Sequence, residues 1–469
     1  MSKLMKRRDV LKLAGLTGAG AALVACAPAA TQAPQAAAAT TAPATTVPAT
    51  TVPPTTAPAV VKAADKILVW GSVSFTKAGD AQLAENMAEW GKANNIEVEY
   101  VALPGSDYTA KIAAAVETGA IPDALLFTGT DSIYYAQRDK LVDMTDVYDS
   151  VKGLAGGIYE SLSPNVMADG KYYGVPMQAD VSCLYARLDL CAEATGKREA
   201  PKTIDEMDAI MRKLNKPPKL HGLGWPLGLT PDSNGNLMWI MLNDGATLVD
   251  AQGNPSINSD GTVSALTRLE AWWKDKLIPA DAPTADDGSN NRWYQGKYAV
   301  FVMNPASIFA FLDANDKPLL ADTIQAPMPS GRAGSFPSAG CWAFSVFKDS
   351  KMIDPAKAMI KAILHPDKMG PVYEKVGGRW FPMYRDLAKT KFWADRPFFN
   401  EFPNILESAR PQWHPAPATP KLLGQLSATW QKFVYAEMAQ DIVINGKSPK
   451  QAAEAGQVKM EQVFAEAAK

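Results

Sequence analysis

Between residues 66 and 131 the chain alternates short apolar runs with amphipathic stretches, and this alternation restricts the fold more than any other feature. Lys66-Ile67-Leu68-Val69-Trp70 has the length and character of a buried strand and closes on Gly71-Ser72. Leu83, Met87 and Trp90 recur at helical spacing behind Asp80, a residue type suited to cap a helix. Asn94-Asn95 ends that helix, and Ile96, Val98 and Tyr100 then alternate with Glu97 and Glu99, as in a strand with one wet face. Tyr108, Ile112, Ala115 and Val116 form a second helical stripe that stops at Gly119. Ala124-Leu125-Leu126-Phe127 is a third strand, followed by Thr128-Gly129-Thr130-Asp131. Strands alternating with helices predict an α/β fold with a parallel, doubly wound sheet. Ligand crevices in such sheets lie beyond the carboxyl ends of the strands. Trp70-Gly71-Ser72 and Thr128 to Asp131 therefore share one rim.

A chain of 469 residues is too long for one ordinary core and predicts two or three folding units. Its 47 basic and 49 acidic residues nearly cancel, so nothing in the charge recruits nucleic acid. Four cysteines do not make a disulfide scaffold, and Cys183 and Cys191 are either a disulfide pair or buried free thiols. His221, His365 and His414 lie far apart, no metal or cofactor motif is present, and no Cys–His pair has the spacing of a nucleophilic site.

Residues 1–25 have the form of a signal peptide. Lys3, Lys6, Arg7 and Arg8 form a basic start, and the apolar segment from Leu11 to Ala25 is too short to span a bilayer. Arg7-Arg8-Asp9-Val10-Leu11-Lys12 resembles a twin-arginine export signal, and Leu23-Val24-Ala25-Cys26 resembles a lipobox. Cys26 is then the lipid anchor of an exported protein on the outer face of the cytoplasmic membrane or in the periplasm. Residues 26–64 are almost entirely Ala, Thr, Pro, Gln and Val, with too few large apolar groups to offset chain entropy, and are expected to be a disordered spacer.

Further motifs follow in order. Gly119-Ala120-Ile121-Pro122-Asp123-Ala124, Leu141-Val142-Asp143-Met144-Thr145-Asp146 and Asp169-Gly170-Lys171-Tyr172-Tyr173-Gly174-Val175-Pro176 are followed by the stretch from Asn290 to Asn304. Val376-Gly377-Gly378-Arg379-Trp380-Phe381-Pro382 and Gly446-Lys447-Ser448-Pro449 complete the series. In this order the chain resembles family 1 extracellular solute-binding proteins, the receptors of ABC sugar importers, similar to maltose-binding protein. It departs from the family at Leu184-Tyr185-Ala186-Arg187 and at Asn304, where glycine is usual.

The resemblance implies a two-lobed periplasmic-binding-protein fold of class II type. Each lobe is a sheet flanked by helices, and crossover hinge strands join them. One lobe is expected at 65–177 plus 304–365 and the other at 178–303 plus 366–469, with Pro176 and Pro305 near the crossings. A helical run from Leu422 to Met438 would bury Leu422, Leu426, Trp430, Phe433 and Val434. The implied partners are a small carbohydrate and an ABC permease, with a monomeric receptor that is not an enzyme.

Sugar faces stack on indoles, and sugar hydroxyls need paired donors and acceptors. The chain has 12 tryptophans. Trp70 is either core or cleft, with Ser72 the nearest hydroxyl. Asp131 either accepts from ligand or caps the helix near Ser132. Gln178 and Asp180 follow the crossover and either touch ligand or brace the hinge. Trp225, with glycines on both sides, suits a stacking platform in an exposed loop; Trp239 looks more like core. Trp293 and Asn304 enter through the resemblance. Gly340 allows close backbone approach beside Trp342. Trp380 is the leading aromatic candidate, and Arg379 either binds an anionic group or forms an ion pair. Tryptophan and aspartate in a cleft also suit a glycoside hydrolase, and the same fold could take glycerol phosphate, a polyamine or a peptide.

Overall fold

The computed structural model describes residues 65–467, apart from 75, 287, 304–306, 412 and 414–418. The signal segment, the spacer, Cys26 and Asn304 lie outside the described residues. The chain begins β1 (Asp65–Ser72), α1 (Lys77–Asn94), β2 (Ile96–Leu103), α2 (Gly105–Thr118), β3 (Ala124–Thr128), α3 (Gly129–Ala136). A small hairpin, β4 (Met167–Ala168) and β5 (Lys171–Tyr172), leads into β6 (Val175–Val181) and β7 (Cys183–Arg187). Next come β8 (His221–Gly224), α4 (Pro231–Asn243), α5 (Asp260–Lys274), α6 (Ser289–Gln295), β9 (Ala299–Met303), β10 (Thr323–Pro327) and β11 (Ser338–Val346). The last are α7 (Ile353–Ile363), α8 (Pro366–Lys375), β12 (Arg410–Pro411), α9 (Pro420–Gln431), α10 (Val434–Val443) and α11 (Pro449–Ala467), with shorter helices between.

The opening alternation folds as its pattern predicts. β1 pairs in parallel with β2 and with β3, and Asn95 and Gly119 end α1 and α2 in left-handed conformations. Ile67 and Val69 join the main core, while Trp70 packs on the opposite face near Tyr108 and Ile112. The cap of α1 differs from expectation. Thr76 caps it, accepting from Gly79 N at 3.2 Å, and Asp80 instead accepts from Ser74 N at 2.8 Å.

Two sheets divide the fold. The first runs β2-β1-β3-β11-β6, with β11 antiparallel to both neighbours and β12 beside its first residues. The β6–β11 register slips between Trp342 and Ala343, opposite Pro176, which has no N–H to give the ladder. The second sheet runs β10-β7-β9-β8. Strand membership moves the expected lobe limits. β6 stays with the first sheet to Val181, and β10 pairs with β7 in the second sheet although it lies within 304–365. The chain thus crosses at Ser182 and again between Pro327 and Ser338. Ser182 N donates to Ser338 O and Ser338 N donates to Ser182 Oγ, each at 2.8 Å, which fastens the two crossings together. Helix α8 packs on α1, as α7 does, so the start of 366–469 belongs beside the first sheet.

The late helical run is broken. Phe433 adopts φ 53°, ending α9 and starting α10 in a new direction. Both helices pack on α11, but α9 also packs on α3, whereas α10 packs on α4 and α5. Cys183, Cys191 and Cys341 are buried and not disulfide-bonded, so the disulfide alternative is excluded. No helix among the described residues is long and apolar enough to cross a membrane.

Candidate ligand-binding cleft

Strand direction brings most expected residues to one rim. β1 and β3 end at Ser72 and Thr128. In the register Trp342 lies between Thr128 and Gln178, and Gly340 lies opposite Asp180. The second sheet turns the carboxyl ends of β8 and β9 toward the same crossover: Met303 is opposite Leu184, and Gly224 opposite Val302. The ends of parallel strands thus meet across Ser182, where a crevice is expected.

The first polar cluster at this junction centres on Arg379. Gly377 and Gly378 have φ of 65° and 79°, and a Cβ on Gly378 would come within 2.5 Å of the Phe399 ring. That glycine turn delivers Arg379-Trp380-Phe381 to β6, where Ala179 N donates to Phe381 O at 2.9 Å. Gln178 is fully buried, and its Nε2 donates to Asp180 Oδ2 at 2.7 Å. Burial raises the Asp180 pKa, while the Arg379 charge and the Gln178 bond oppose that rise. Burial pulls the Arg379 pKa down against the attraction of Asp180, Asp232 and Tyr185. Asp232 opens α4 on the other side and accepts from Asn290 Nδ2 at 2.9 Å, and Asn290 Nδ2 also donates to Met303 O at 3.3 Å. Arg379 therefore lies in the field of carboxylates from both sides of the crossover. Gln325 of β10 donates to Tyr185 OH at 3.2 Å. Among the described residues, Gln178 Oε1, Asp180 Oδ1 and Gln325 Oε1 are buried without a hydrogen-bond partner.

The second cluster joins α3, α4 and α9. Thr128 and Asp131 form a capping box, with Thr128 Oγ1 donating to Asp131 Oδ2 at 2.7 Å. Asp131 is therefore a cap, yet its other oxygen faces α9 and accepts from Gln431 Nε2. Burial raises its pKa to about 6, against the pull of these neutral donors. Asn234 fixes the break between α9 and α10. Its Nδ2 donates to Trp430 O at 3.2 Å, and its Oδ1 accepts from Tyr435 N and Ala436 N, both at 3.1 Å. Gly235 is pressed between indoles: a Cβ there would lie 3.2 Å from the Trp430 ring and 3.4 Å from that of Trp239. Trp413 meets Trp430 edge-on, with ring centroids 5.8 Å apart.

The expected aromatics divide. Trp225 is not in an exposed loop; it is 0% exposed and meets Trp272 edge-on. Gly222 and Gly224 flank it because Met211, Val302 and Trp293 pack where their Cβ atoms would stand. Trp293 covers Gly224 from α6 and is buried, and Trp380 is only 3% exposed. Neither presents an open ring face here. Trp70 and Trp342 are half-buried, the latter 6.1 Å from the Tyr108 ring. Ser72 is buried at the rim. Sequence reasoning missed Asp232, Asn234, Trp413 and Gln431; Trp239 and Trp430, expected in the core, are partly buried and pack against it. The available signal was Pro231-Asp232-Ser233-Asn234-Gly235-Asn236, a first helical turn rich in polar residues that are largely buried.

Residues 82–400 match the family described as bacterial extracellular solute-binding protein. This chain belongs to that family. The solute-binding protein is 23% identical over 364 residues to a binding protein of Brucella abortus, covering 75% of this chain and 85% of the relative. It is 25% identical over 244 residues to the galactooligosaccharide-binding protein of Bacillus subtilis, covering 50% of this chain and 54% of the relative. Among solved structures, T. maritima MalE3 with bound maltose superposes on the solute-binding protein with a TM-score of 0.72 at 20% identity. That superposition covers 85% of this chain and 100% of MalE3. At that identity the likeness establishes the two-lobed fold.

Proposed function

We propose that this chain is the extracytoplasmic receptor of an ABC importer, capturing a mono- or oligosaccharide between its two sheets and delivering it to a permease. One observation carries the reading: at the crossover, Gln178 Oε1, Asp180 Oδ1 and Gln325 Oε1 are buried acceptors without a hydrogen-bond partner among the described residues. Sugar hydroxyls supply donors to such acceptors, and sugar C–H faces stack on indoles. Maltose and galacto-oligosaccharide, the ligands named for the relatives, belong to this class.

Binding works by hinge closure. The lobes open about Ser182 and residues 328–337, and solute stabilises the closed arrangement by its higher affinity for it. Ser72, Asp131, Gln178, Asp180, Gly340, Trp342 and Arg379 serve from the rim, joined by Asp232, Trp239 and Trp430. Trp225, Trp293 and Trp380 act as packing beneath it. Cys26 carries the lipid and residues 26–64 hold the body off the membrane.

The test is a thermal-shift screen over mono- and oligosaccharides, since a ligand of the native state raises its melting temperature. A sugar that does so is expected to bind at least about tenfold more weakly to Trp430→Ala, about 1.4 kcal/mol. No stabilising sugar in the panel would remove the reading, and cleavage of a bound oligosaccharide would replace it with a hydrolase.

A further inference from the structure

The second crossing, residues 328–337, is tied down over most of its length. Ser330 N donates to Lys202 O at 2.9 Å, and Ile204 N donates to Ser330 O at 3.0 Å. The carboxyl end of α4 holds the rest. Asn243 is 0% exposed; its Nδ2 donates to Pro329 O and its Oδ1 accepts from Phe336 N, both at 3.1 Å. A flipped amide would oppose both contacts, so the orientation of this side chain is fixed. The carbonyl of Asn243 accepts from Ala333 N at 2.8 Å, and Asp244 Oδ1 accepts from Arg332 N at 3.2 Å. The fit is close as well: a Cβ on Gly331 would lie 2.5 Å from Asn243 O.

The chain beyond the clamp belongs to the first sheet. Pro337 O accepts from Arg410 N at 2.9 Å, and Ser338 N donates to Ser182 Oγ at 2.8 Å. The last group held by α4 is Phe336 N, and the first held by the other side is Pro337 O. Between them stand only the torsions of Phe336 and Pro337, and the proline ring fixes one of those. A long crossing is thereby reduced to a short one.

We infer that Asn243 is a positioning residue of the hinge. It clamps residues 329–336 to the body of the second sheet, so that bending at this crossing falls on Phe336 and Pro337, next to Ser182. Few free torsions leave few directions in which the lobes can swing, which guides them back to one closed arrangement. The inference rests on the hinge-closure reading above and adds where the bend lies and what holds it there.

Pulsed electron–electron distance measurements on the solute-free full chain test it. Spin labels are placed at Ala88→Cys on α1 and at Ala209→Cys on the helix Ile204–Leu214, both exposed positions. Asn243→Ala is expected to widen the distance distribution, with amide exchange at Ala333 and Phe336 at least about tenfold faster. Asn243→Asp keeps the acceptor for Phe336 N and loses the donor to Pro329 O. It should widen the distribution less, and it serves alone if the alanine variant does not fold. Pro337→Gly frees the remaining torsion and should widen the distribution while exchange at Ala333 and Phe336 stays as it was. Widening by Pro337→Gly but by neither Asn243 variant would overturn the clamp and leave the hinge standing. Widening by the Asn243 variants but not by Pro337→Gly would move the bend away from Phe336 and Pro337 and overturn its confinement there. A distribution unmoved by every variant would remove the hinge-closure reading and the clamp with it.

Discussion

The two polar clusters at the crossover fail in opposite ways. Around Asp131 every described hydrogen bond is made, but the donors are neutral and the carboxylate is pushed up to about 6. Around Asp180 a cation is at hand in Arg379, yet Asp180 Oδ1 and Gln178 Oε1 lack donors. Hydrogen-bond satisfaction and charge compensation are separate demands on a buried site. Each half of this junction meets one of them.

The sharpest way to break that contrast is Arg379→Met. It leaves Asp180 and Asp232 without their shared cation, and a cost of about 3–5 kcal/mol in denaturant unfolding is expected. An unchanged midpoint would mean that Arg379 does not compensate them. Asp131 should respond in the reverse sense. Its carboxyl gives up its proton near 3.8 in the unfolded chain and near 6 in the folded one. Over that interval the folded state holds a proton that the unfolded state has lost, so the contribution to stability falls as pH rises. The penalty is complete above about 6. Relative to Asp131→Asn, the natural chain should gain up to about 1.4 kcal/mol per pH unit on acidification through this window. Parallel stability–pH curves for the two would place a compensating charge beside Asp131. Asn234→Ala strands two amides of α10, Tyr435 N and Ala436 N, costing about 1–3 kcal/mol, read by the shift of the melting temperature. The smallest effect belongs far from the junction. Lys391 and Asp395 pair at 2.8 Å on an exposed helix, and Lys391→Ala should change stability by less than about 0.5 kcal/mol.

What was legible in the sequence followed from local periodicity. The three opening strands, the helices between them and the stops at Asn95 and Gly119 are set by residues within a few positions of one another. The placement of β10 was not, because its partner β7 is more than a hundred residues away and either sheet would accept its apolar pattern. The break at Phe433 was hidden because apolar spacing continues through it; the cause is Asn234, about two hundred residues earlier. Trp225 misled for a related reason. Glycine permits an open loop and also permits close packing, and only the neighbours decide which. Ser72 was accessible through strand order, and Gln178 and Asp180 through the crossover that the family resemblance implies, whereas Asp232 and Gln431 needed the packed helices.

β11 comes late in the chain yet lies between β3 and β6, which are both made before residue 182. Emerging in order from a ribosome, the earlier strands carry open edges on both sides of that gap until Ser338–Val346 arrives. Neither half can be completed by a contiguous piece of the chain, so a product cut short before residue 338 is left with exposed ladders that invite other strands. Quality of the finished receptor therefore depends on shielding those edges during synthesis.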